Sequence, residues 1–306
     1  MKSEKFIEQI RNILASYLTG KINRISRISQ GFANINFAVD TDKNRLLVRF
    51  YREQSLENIE KEVLLMQVLK KYNFPTAYPL PDRTGKIIHP AEPYPVMVYP
   101  FLSGKQPPPL DEDIRQVAEA MARLHTIPTK KIPQKKNIIE PAQCFNLMTH
   151  LKPGTCVNTE LRALWIESFR KAEPCLSIDL PKGLIHGDIF PDNTLFNNDK
   201  LVAILDFDDF AIDTYLFDIG MTINGFCLTD NMPDKRKTDI FLSAYEKIRV
   251  LTPDEKACLD AYIIWTALGM ACWHIKDCQN QEKPGQKKRI RELILMAYNR
   301  ANSSKP

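Results

Sequence analysis

The spacing of apolar positions changes about one third of the way along the chain. Residues 1–18 alternate charged and apolar positions at helical spacing, which predicts an amphipathic helix. Three runs after it read as strands: KINRISRIS (21–29), INFAVD (35–40) and NRLLVRFY (44–51). From residue 55 the helical period returns, with Ile59 and Val63 on one face and Ser55 as the expected N-cap.

Two proline-rich stretches interrupt this first part. FPTAYPLPDRTGK (74–86) must be loop or sheet edge, and YPVMVYPFLSG (94–104) resumes an apolar strand. GKQPPPL (104–110) is a rigid break, so we place the hinge between two lobes here. The expected division is 1–101 for an N-terminal nucleotide-binding lobe and 102–306 for a catalytic and substrate-binding lobe.

The remainder of the chain is dominated by helical periodicity. DEDIRQVAEAMARLHTI (111–127) is strongly amphipathic, whereas residues 127–157 show only weak periodicity and are not assigned. Further helices are predicted at 159–173, 214–226, 235–247, 254–278 and 285–303. Short apolar runs surround polar turns at 182–188, 194–198 and 201–207. A strand-rich part followed by a helix-rich part predicts an α+β protein with two lobes and a cleft between them.

Composition narrows the range of partners. At 306 residues the chain is long enough for two lobes, and 44% of its residues are apolar, which is typical of a globular protein. Lysine and arginine exceed aspartate and glutamate by 42 to 37. The basic runs TKKIPQKK (129–136) and GQKKRIR (285–291) lack interleaved aromatics, so we interpret them as solvated faces and expect no nucleic-acid partner.

Location is predicted from cysteines and hydropathy. The seven cysteines contain no CxxC pair, which favours free thiols in a reducing cytoplasm. The longest apolar stretch, Ala261–Ile275, is interrupted by polar residues and is too short to span a bilayer. We therefore expect a cytoplasmic protein without a membrane partner.

Candidate chemistry is concentrated in LIHGDIFPDN (184–193) and LDFDD (205–209). Asp188, Asn193 and Asp206 follow short apolar runs, so strand ends and loops present their oxygens, as a hard cation such as Mg²⁺ requires. Asn193 and Asp206 can hold the metal while Asp188 faces a substrate hydroxyl, the division of labour that phosphoryl transfer needs. A solvated turn or a structural metal site are the alternatives, and the full pattern favours phosphoryl transfer.

These motifs resemble a known superfamily. HGDIFPDN with ILDFDD is similar to the catalytic and metal-binding loops of the aminoglycoside phosphotransferase and choline kinase superfamily, relatives of the protein kinases. GFANIN, LPKGLIHGDIFPDNTLF and FDIGMTINGFC each resemble bacterial homoserine kinases of the kinase-like fold. The resemblance implies a two-lobed protein-kinase-like fold, with a small antiparallel-sheet N-lobe and a larger, mainly helical C-lobe. It also implies ATP-dependent phosphorylation of L-homoserine, a step toward threonine.

The resemblance assigns roles to particular residues. Asp188 is the expected catalytic base, and Asn193 and Asp206 the expected Mg²⁺ ligands. Arg49 stands where most relatives carry a phosphate-binding lysine, with Glu62 as its expected ion-pair partner.

Further roles follow from neighbouring motifs. The turn containing Gly31, Phe32 and Asn34 is expected to offer backbone N–H groups to the ATP phosphates, and Tyr99 lies in the segment that resembles the hinge. His186 and Asp218 are expected to support the catalytic loop.

The acceptor is the least determined feature. Homoserine is a zwitterion, so its pocket needs an anion for the ammonium and a cation or N–H pair for the carboxylate. Asp208, Asp209 and Asp213 are candidates for the ammonium. Acidic residues at 208 and 209 depart from the homoserine kinase pattern.

That departure adds weight to an amino-bearing alcohol such as choline, ethanolamine or an aminoglycoside. Trp265 and Trp273 are candidates for a quaternary-ammonium cage, although so apolar a helix more often buries tryptophan in the core.

The length of chain between Asp206 and Asp218 limits the kind of substrate. Only a short stretch separates Asp206 from Asp218, too little for an activation segment that would dock a protein. We therefore expect a small-molecule acceptor. A nucleotide-binding pseudokinase is the non-enzymatic alternative. The sequence argues against it, because every expected base and metal position carries a suitable residue.

Overall fold

The computed structural model describes residues 2–28, 34–106, 110–152, 156–229, 232–280 and 283–303. The N-terminal part consists of α1 (Lys2–Leu14), β1 (Ile22–Ile28), β2 (Ile35–Thr41), β3 (Arg45–Phe50), α2 (Leu56–Lys71) and β4 (Val96–Pro100). The four strands form one antiparallel sheet in the order β1-β2-β3-β4.

Strand β3 shows how the sequence positions the site. Leu46, Val48 and Phe50 are buried in the cluster that α1 also joins. Because side chains alternate along a strand, Arg49 projects from the opposite face of the sheet, away from that cluster.

Helix α2 connects the sheet to the rest of the molecule. Its N-terminus is capped as predicted, since Ser55 Oγ accepts a 3.2 Å hydrogen bond from Asn58 N. Ile59 belongs to the cluster beside the sheet, whereas Leu65 and Leu69 belong to the large apolar core of the C-terminal part. The apolar core therefore runs across the expected division at residue 101, and that boundary stays a prediction.

The C-terminal part is mainly helical. Its helices are α3 (Asp111–His125), α4 (Pro141–Thr149), α5 (Thr159–Leu176), α6 (Tyr215–Phe226), α7 (Lys235–Glu246), α8 (Pro253–Asn280) and α9 (Gln286–Ser303). Its strands are β5 (Lys182–Ile185), β6 (Thr194–Asn197), β7 (Lys200–Ile204), β8 (Ala211–Thr214), β9 (Leu228–Thr229) and β10 (Met232–Pro233). Strands β6 and β7 form one hairpin, β9 and β10 a second, and β5 pairs antiparallel with β8.

Two parts of this architecture were not assigned from the sequence. Helix α4 lies in the weakly periodic stretch 127–157, where Pro141 occupies a position in the first turn that suits proline. Strand β8 is only four residues long and includes Asp213, so its pattern is too short to detect. Its pairing with β5 sets Ile185 opposite Ala211 and brings the two polar loops to one end of the pair.

Helix α8 corrects the expectation that its apolar stretch was too short to span a bilayer. Pro253–Gln279 is long and apolar enough to cross a membrane by length and composition alone, but 72% of its most apolar window is buried inside the protein. The helix is this apolar because it packs against other helices in the core, where Trp265 and Leu268 are buried. All seven cysteines are free thiols.

Candidate active site

The loop after β5 and the loop after β7 form the centre of the site. Asn193 Nδ2 donates to Asp188 Oδ2 at 2.7 Å and to the Asp188 carbonyl oxygen at 2.9 Å. The two loops are tied by a 2.8 Å hydrogen bond from Leu205 N to the Asn193 carbonyl oxygen. Because both amide hydrogens point at Asp188, the Asn193 Oδ1 atom is the end left for another partner.

Asp206 joins this centre to the N-terminal sheet. Its backbone has φ +66°, in the left-handed region that aspartate tolerates better than most residues. Its Oδ1 lies 3.2 Å from Arg49 Nη1, and Arg49 Nε donates to Asn36 Oδ1 at 3.3 Å. The guanidinium thus bridges the sheet and the loop after β7.

Asp218, in the first turn of α6, anchors the loop that carries Asp188. Its carboxylate accepts 2.7 Å hydrogen bonds from His186 N and Gly187 N, and His125 Nε2 lies 3.1 Å away. Burial alone raises the pKa of Asp218, but the hydrogen bond and charge of His125 and the backbone hydrogen bonds outweigh it and leave this pKa below its ordinary value.

His186 is fully buried and contacts the loop itself. Its Nε2 lies 2.9 Å from the Leu205 carbonyl oxygen, and Asp188 N donates to Nδ1 at 3.2 Å. Nε2–H must then donate while Nδ1 accepts, which describes a neutral ring. Burial lowers the pKa of His186 in agreement with that state. These contacts link the loop that carries Asp188 to Leu205, and the supporting role of His186 stays a prediction.

Gly187 meets a steric requirement of the same loop. Its φ is +87°, and a Cβ atom at this position would lie 2.6 Å from the Asp209 carbonyl oxygen. Both the backbone conformation and the close approach exclude a side chain. The Gly in HGD is therefore needed for the two loops to meet.

Negative charge is concentrated around Asp188. Burial raises its pKa well above the ordinary aspartate value, and the charges of Asp209, Asp206 and Asp192 raise it further. Burial, Asp206 and Glu62 raise the pKa of Asp208 in the same way. Carboxylates gathered in this manner make the site complementary to a cation.

The donor set fits a divalent metal. The buried Oδ1 atoms of Asp208 and Asn34 have no hydrogen-bond partner among the described residues, although Asn34 Nδ2 donates to Asp208 Oδ2 at 2.9 Å. Asp206 supplies a further carboxylate in the same region, and Asn193 lies in the loop that is hydrogen-bonded to Leu205, next to Asp206. The described residues contain no cluster of three His, Cys, Asp or Glu side chains that could enclose a metal ion. Mg²⁺ suits such a site because it usually takes one or two carboxylates and fills its remaining positions with water and phosphate oxygens.

The expected ion pair between Glu62 and Arg49 is not formed. Arg49 pairs with Asp206, whereas buried Glu62 accepts hydrogen bonds from the hydroxyls of Tyr51 (3.2 Å) and Tyr99 (3.3 Å). The two hydroxyls lie 2.6 Å apart. Burial raises the pKa of Glu62. The hydroxyls of Tyr51 and Tyr99, and not the Arg49 guanidinium, are the hydrogen-bond partners of this buried carboxyl. Glu62, Arg49, Asp206 and Tyr99 nevertheless line one small cavity of about 40 Å³.

A larger cavity opens beside Asp188. Its volume is about 390 Å³, in the range of small-molecule sites. The polar or charged side chains in its wall include Asn137, Asp188, Asp192, Asp209, His274 and Arg289, and its apolar wall includes Ile139, Phe190, Met221, Met270 and Trp273. A cavity of this size beside a carboxylate has room for a small acceptor alcohol.

Comparison with known proteins agrees with this geometry. Residues 24–251 match the APH phosphotransferase enzyme family. The chain belongs to this family. It is 29% identical over 251 residues to a homoserine kinase from Polaromonas naphthalenivorans, covering 79% of this chain and 78% of the relative. It is 28% identical over 278 residues to a homoserine kinase from Beijerinckia indica, covering 90% and 87%.

A solved structure with the same architecture is an amicoumacin kinase in complex with AMP-PNP, Ca²⁺ and its ligand. It is 12% identical, covers 95% of this chain and 93% of its own, and has a TM-score of 0.74. Together with the antiparallel sheet and the mainly helical C-terminal part, this likeness confirms the predicted kinase-like fold.

The three aspartates expected to bind the acceptor point in different directions. Asp209 lines the large cavity, whereas Asp208 faces Asn34 on the Arg49 side. Asp213 lies outside the cavity because β8 turns its carboxylate to Asn137 Nδ2, 2.9 Å away. Among the described residues Asp213 thus contacts a residue of the cavity wall, and its expected role toward the acceptor stays a prediction. The predicted turn residues Gly31 and Phe32 lie outside the described residues.

Several cavity residues were missed or misread in the sequence. Asn137 lies in the stretch that showed little periodicity, and Arg289 lies in a basic run interpreted as a solvated face. On α9 the buried positions Gln286, Ile290 and Leu293 define an inner face, and Arg289 flanks it. The helical register of α9 was therefore the feature of the sequence that could have identified Arg289 as a cavity residue. Of the two candidate tryptophans, Trp273 lines the cavity and Trp265 is core.

Proposed function

We propose that this chain is an ATP-dependent kinase that phosphorylates the side-chain hydroxyl of L-homoserine, with Mg²⁺ as cofactor. The observation that carries the proposal is the position of Asp188, which Asn193 holds in place and which faces the 390 Å³ cavity. Two homoserine kinases align with most of this chain, which supports homoserine as the acceptor.

The chemistry assigned to Asp188 is proton acceptance. As the acceptor hydroxyl oxygen bonds to the γ-phosphorus of ATP, the bond between that phosphorus and the β–γ bridging oxygen breaks, and ADP departs with the electron pair. The hydroxyl proton passes to Asp188. A raised pKa makes this carboxylate a stronger base than an ordinary aspartate, and Asn193 fixes the direction in which it accepts.

ATP and Mg²⁺ are assigned to the side of the site that faces the sheet. Asn193 and Asp206 would hold Mg²⁺, which supplies positive charge to the phosphates during transfer. Arg49 would bind phosphate oxygens, since its guanidinium lies beside Asp206 and can act bidentately. Asn34 reaches the same region through Asp208. Tyr99, Gly31 and Phe32 stay predicted nucleotide contacts.

A second candidate is an amino-alcohol or aminoglycoside kinase. Asp209 and the partly exposed Trp273 both line the cavity, and each suits a cationic amine. This candidate has a weaker basis, because Trp265 is buried in the core and a two-tryptophan cage is not formed.

An ADP-release assay tests the proposal. Homoserine, choline, ethanolamine and kanamycin are compared as acceptors with saturating Mg·ATP. We expect homoserine to give the highest kcat/KM. Preference for choline, ethanolamine or kanamycin would replace homoserine with the second candidate. Tight Mg·ATP binding without turnover of any acceptor would identify a nucleotide-binding pseudokinase.

A further inference from the structure

Arg289 is the one guanidinium that lines the large cavity in the described part of the chain. It extends from the first turn of α9 to a cavity whose wall also includes Asp188 and Asp209, from two separate loops. Its side chain is partly buried, and its guanidinium makes no hydrogen bond or ion pair within the described residues. An arginine in this situation has lost water without gaining a partner.

The electrostatic surroundings show what kind of partner is required. Burial lowers the pKa of Arg289, and the charges of Glu292 and Asp192 oppose this only in part, since neither carboxylate is within ion-pair distance. A desolvated guanidinium is stabilised best by an anion that accepts two parallel hydrogen bonds. A carboxylate has that geometry.

The cavity wall also carries charges of both signs. Asp188 and Asp209 lie on the loops that carry the proposed chemistry, and Arg289 and His274 lie on α9 and α8. Burial lowers the pKa of His274 to about 4, so its ring is neutral near pH 7 and Arg289 is the cation on that wall. A cavity that holds carboxylates and a guanidinium fits a zwitterion, and the guanidinium disfavours a ligand that carries positive charge alone.

We propose that Arg289 binds the carboxylate of the acceptor and thereby restricts the enzyme to hydroxy amino acids. The inference rests on the proposed kinase function. It assigns recognition to a residue outside the catalytic motifs. It predicts discrimination against alcohols that carry an ammonium group and no carboxylate.

The test compares L-homoserine with 3-aminopropan-1-ol, which keeps the hydroxyl and ammonium but lacks the carboxylate. We expect the wild-type enzyme to prefer homoserine in kcat/KM. Arg289→Gln should raise the KM for homoserine on the order of 10²-fold, the loss of a charge-assisted pair, and leave the KM for ATP unchanged. The same substitution should leave 3-aminopropan-1-ol nearly unaffected, so the preference falls toward unity.

Two variants control the experiment. Arg291→Gln removes the same charge from an exposed position of α9 and should retain the wild-type preference. Arg289→Lys keeps a cation without the bidentate fork and should recover part of the homoserine preference. Recovery by lysine separates loss of the charge from loss of the fold.

Each other outcome has a distinct meaning. If wild-type enzyme prefers homoserine and Arg289→Gln keeps that preference, Arg289 is not the carboxylate site while the proposed function stands. Equal loss of kcat/KM for both alcohols would show a structural role and overturn the inference. If wild-type enzyme uses 3-aminopropan-1-ol as well as homoserine, both the inference and the homoserine assignment fail.

Discussion

Asn193 Nδ2 lies 2.7 Å from Asp188 Oδ2, so one of the proposed metal ligands also fixes the proposed base. The two roles depend on each other, because the Asn193 side-chain nitrogen orients the Asp188 carboxylate while its oxygen is left for the proposed metal. The Leu205–Asn193 backbone hydrogen bond extends the link toward Asp206. The site is therefore one connected unit built from two loops and a strand.

The first prediction concerns Asp206. Asp206→Ala removes an oxygen ligand and leaves Arg49 without its ion-pair partner. We expect the apparent KM for Mg·ATP to rise by at least ~10-fold, while the KM for the acceptor changes little. Initial rates over a Mg²⁺ and ATP matrix measure the effect. Asp239→Ala, at an exposed position on α7, is the control, and saturation curves that match wild type would remove Asp206 from the metal site.

The second prediction concerns Gly187. Gly187→Ala introduces a Cβ atom 2.6 Å from the Asp209 carbonyl oxygen at a positive φ. Displacement of the two loops should lower kcat/KM by ~10²-fold or more. Gly85→Ala is the matched control, because Gly85 also has φ +87° but a Cβ there has no neighbour within 4 Å. Equal effects of the two substitutions on activity would show that the close approach at Gly187 is unimportant.

The third prediction concerns stability and pH. Burial lowers the pKa of His125, and the hydrogen bond and charge of Asp218 oppose it only in part. The folded protein then binds this proton more weakly than the unfolded chain does. The unfolding free energy should therefore fall as pH decreases from about 6.5 toward the lower folded pKa, by at most ~1.4 kcal/mol per pH unit for this residue.

Urea unfolding at pH 7.5 and 5.5 measures this dependence. His125→Gln should unfold more easily at pH 7.5, because Tyr245 and Asp218 lose their partner, but should show a shallower decrease toward pH 5.5. His150→Gln, at an exposed position, should keep the wild-type slope. An unchanged slope in His125→Gln would assign the pH dependence to other groups.

The fourth prediction concerns Asp208. Burial raises the pKa of Asp208, so the folded protein binds this proton more tightly than the unfolded chain does. The stability gained from the proton is present below the unfolded pKa and is lost as pH rises through the folded pKa. Asp208→Asn removes the buried charge and should raise the Tm at pH 7.5 in Mg²⁺-free buffer by a few degrees, with a smaller effect at pH 4. Calorimetry at the two pH values measures it. A Tm at pH 7.5 equal to or below wild type would show that this carboxylate is not a destabilising charge.

The sequence predicted those features that depend on neighbours along the chain. The run NRLLVRFY predicted the strand that carries Arg49, and the pattern of Asp188, Asn193 and Asp206 identified the central cluster. Helix α2 and its Ser55 cap also followed from local pattern.

Features that depend on packing between distant elements were not accessible in this way. Arg289 reaches the cavity only because α9 packs on α8, and Asn137 is held there by Asp213 from β8. The short turn at Phe207–Asp209 decides that Asp208 and Asp209 face different sides of the site. The hydroxyl network that replaces an Arg49–Glu62 pair requires Tyr51 and Tyr99 from two strands to converge.

The most direct test of the central claim is the turnover of Asp188→Asn with homoserine and Mg·ATP. We expect a kcat at least ~10²-fold below wild type with an unchanged KM for ATP, because the base is lost while the nucleotide contacts remain. Asp199→Asn, at an exposed turn between β6 and β7, should turn over like wild type. A kcat for Asp188→Asn within a few-fold of wild type would show that Asp188 is not the base.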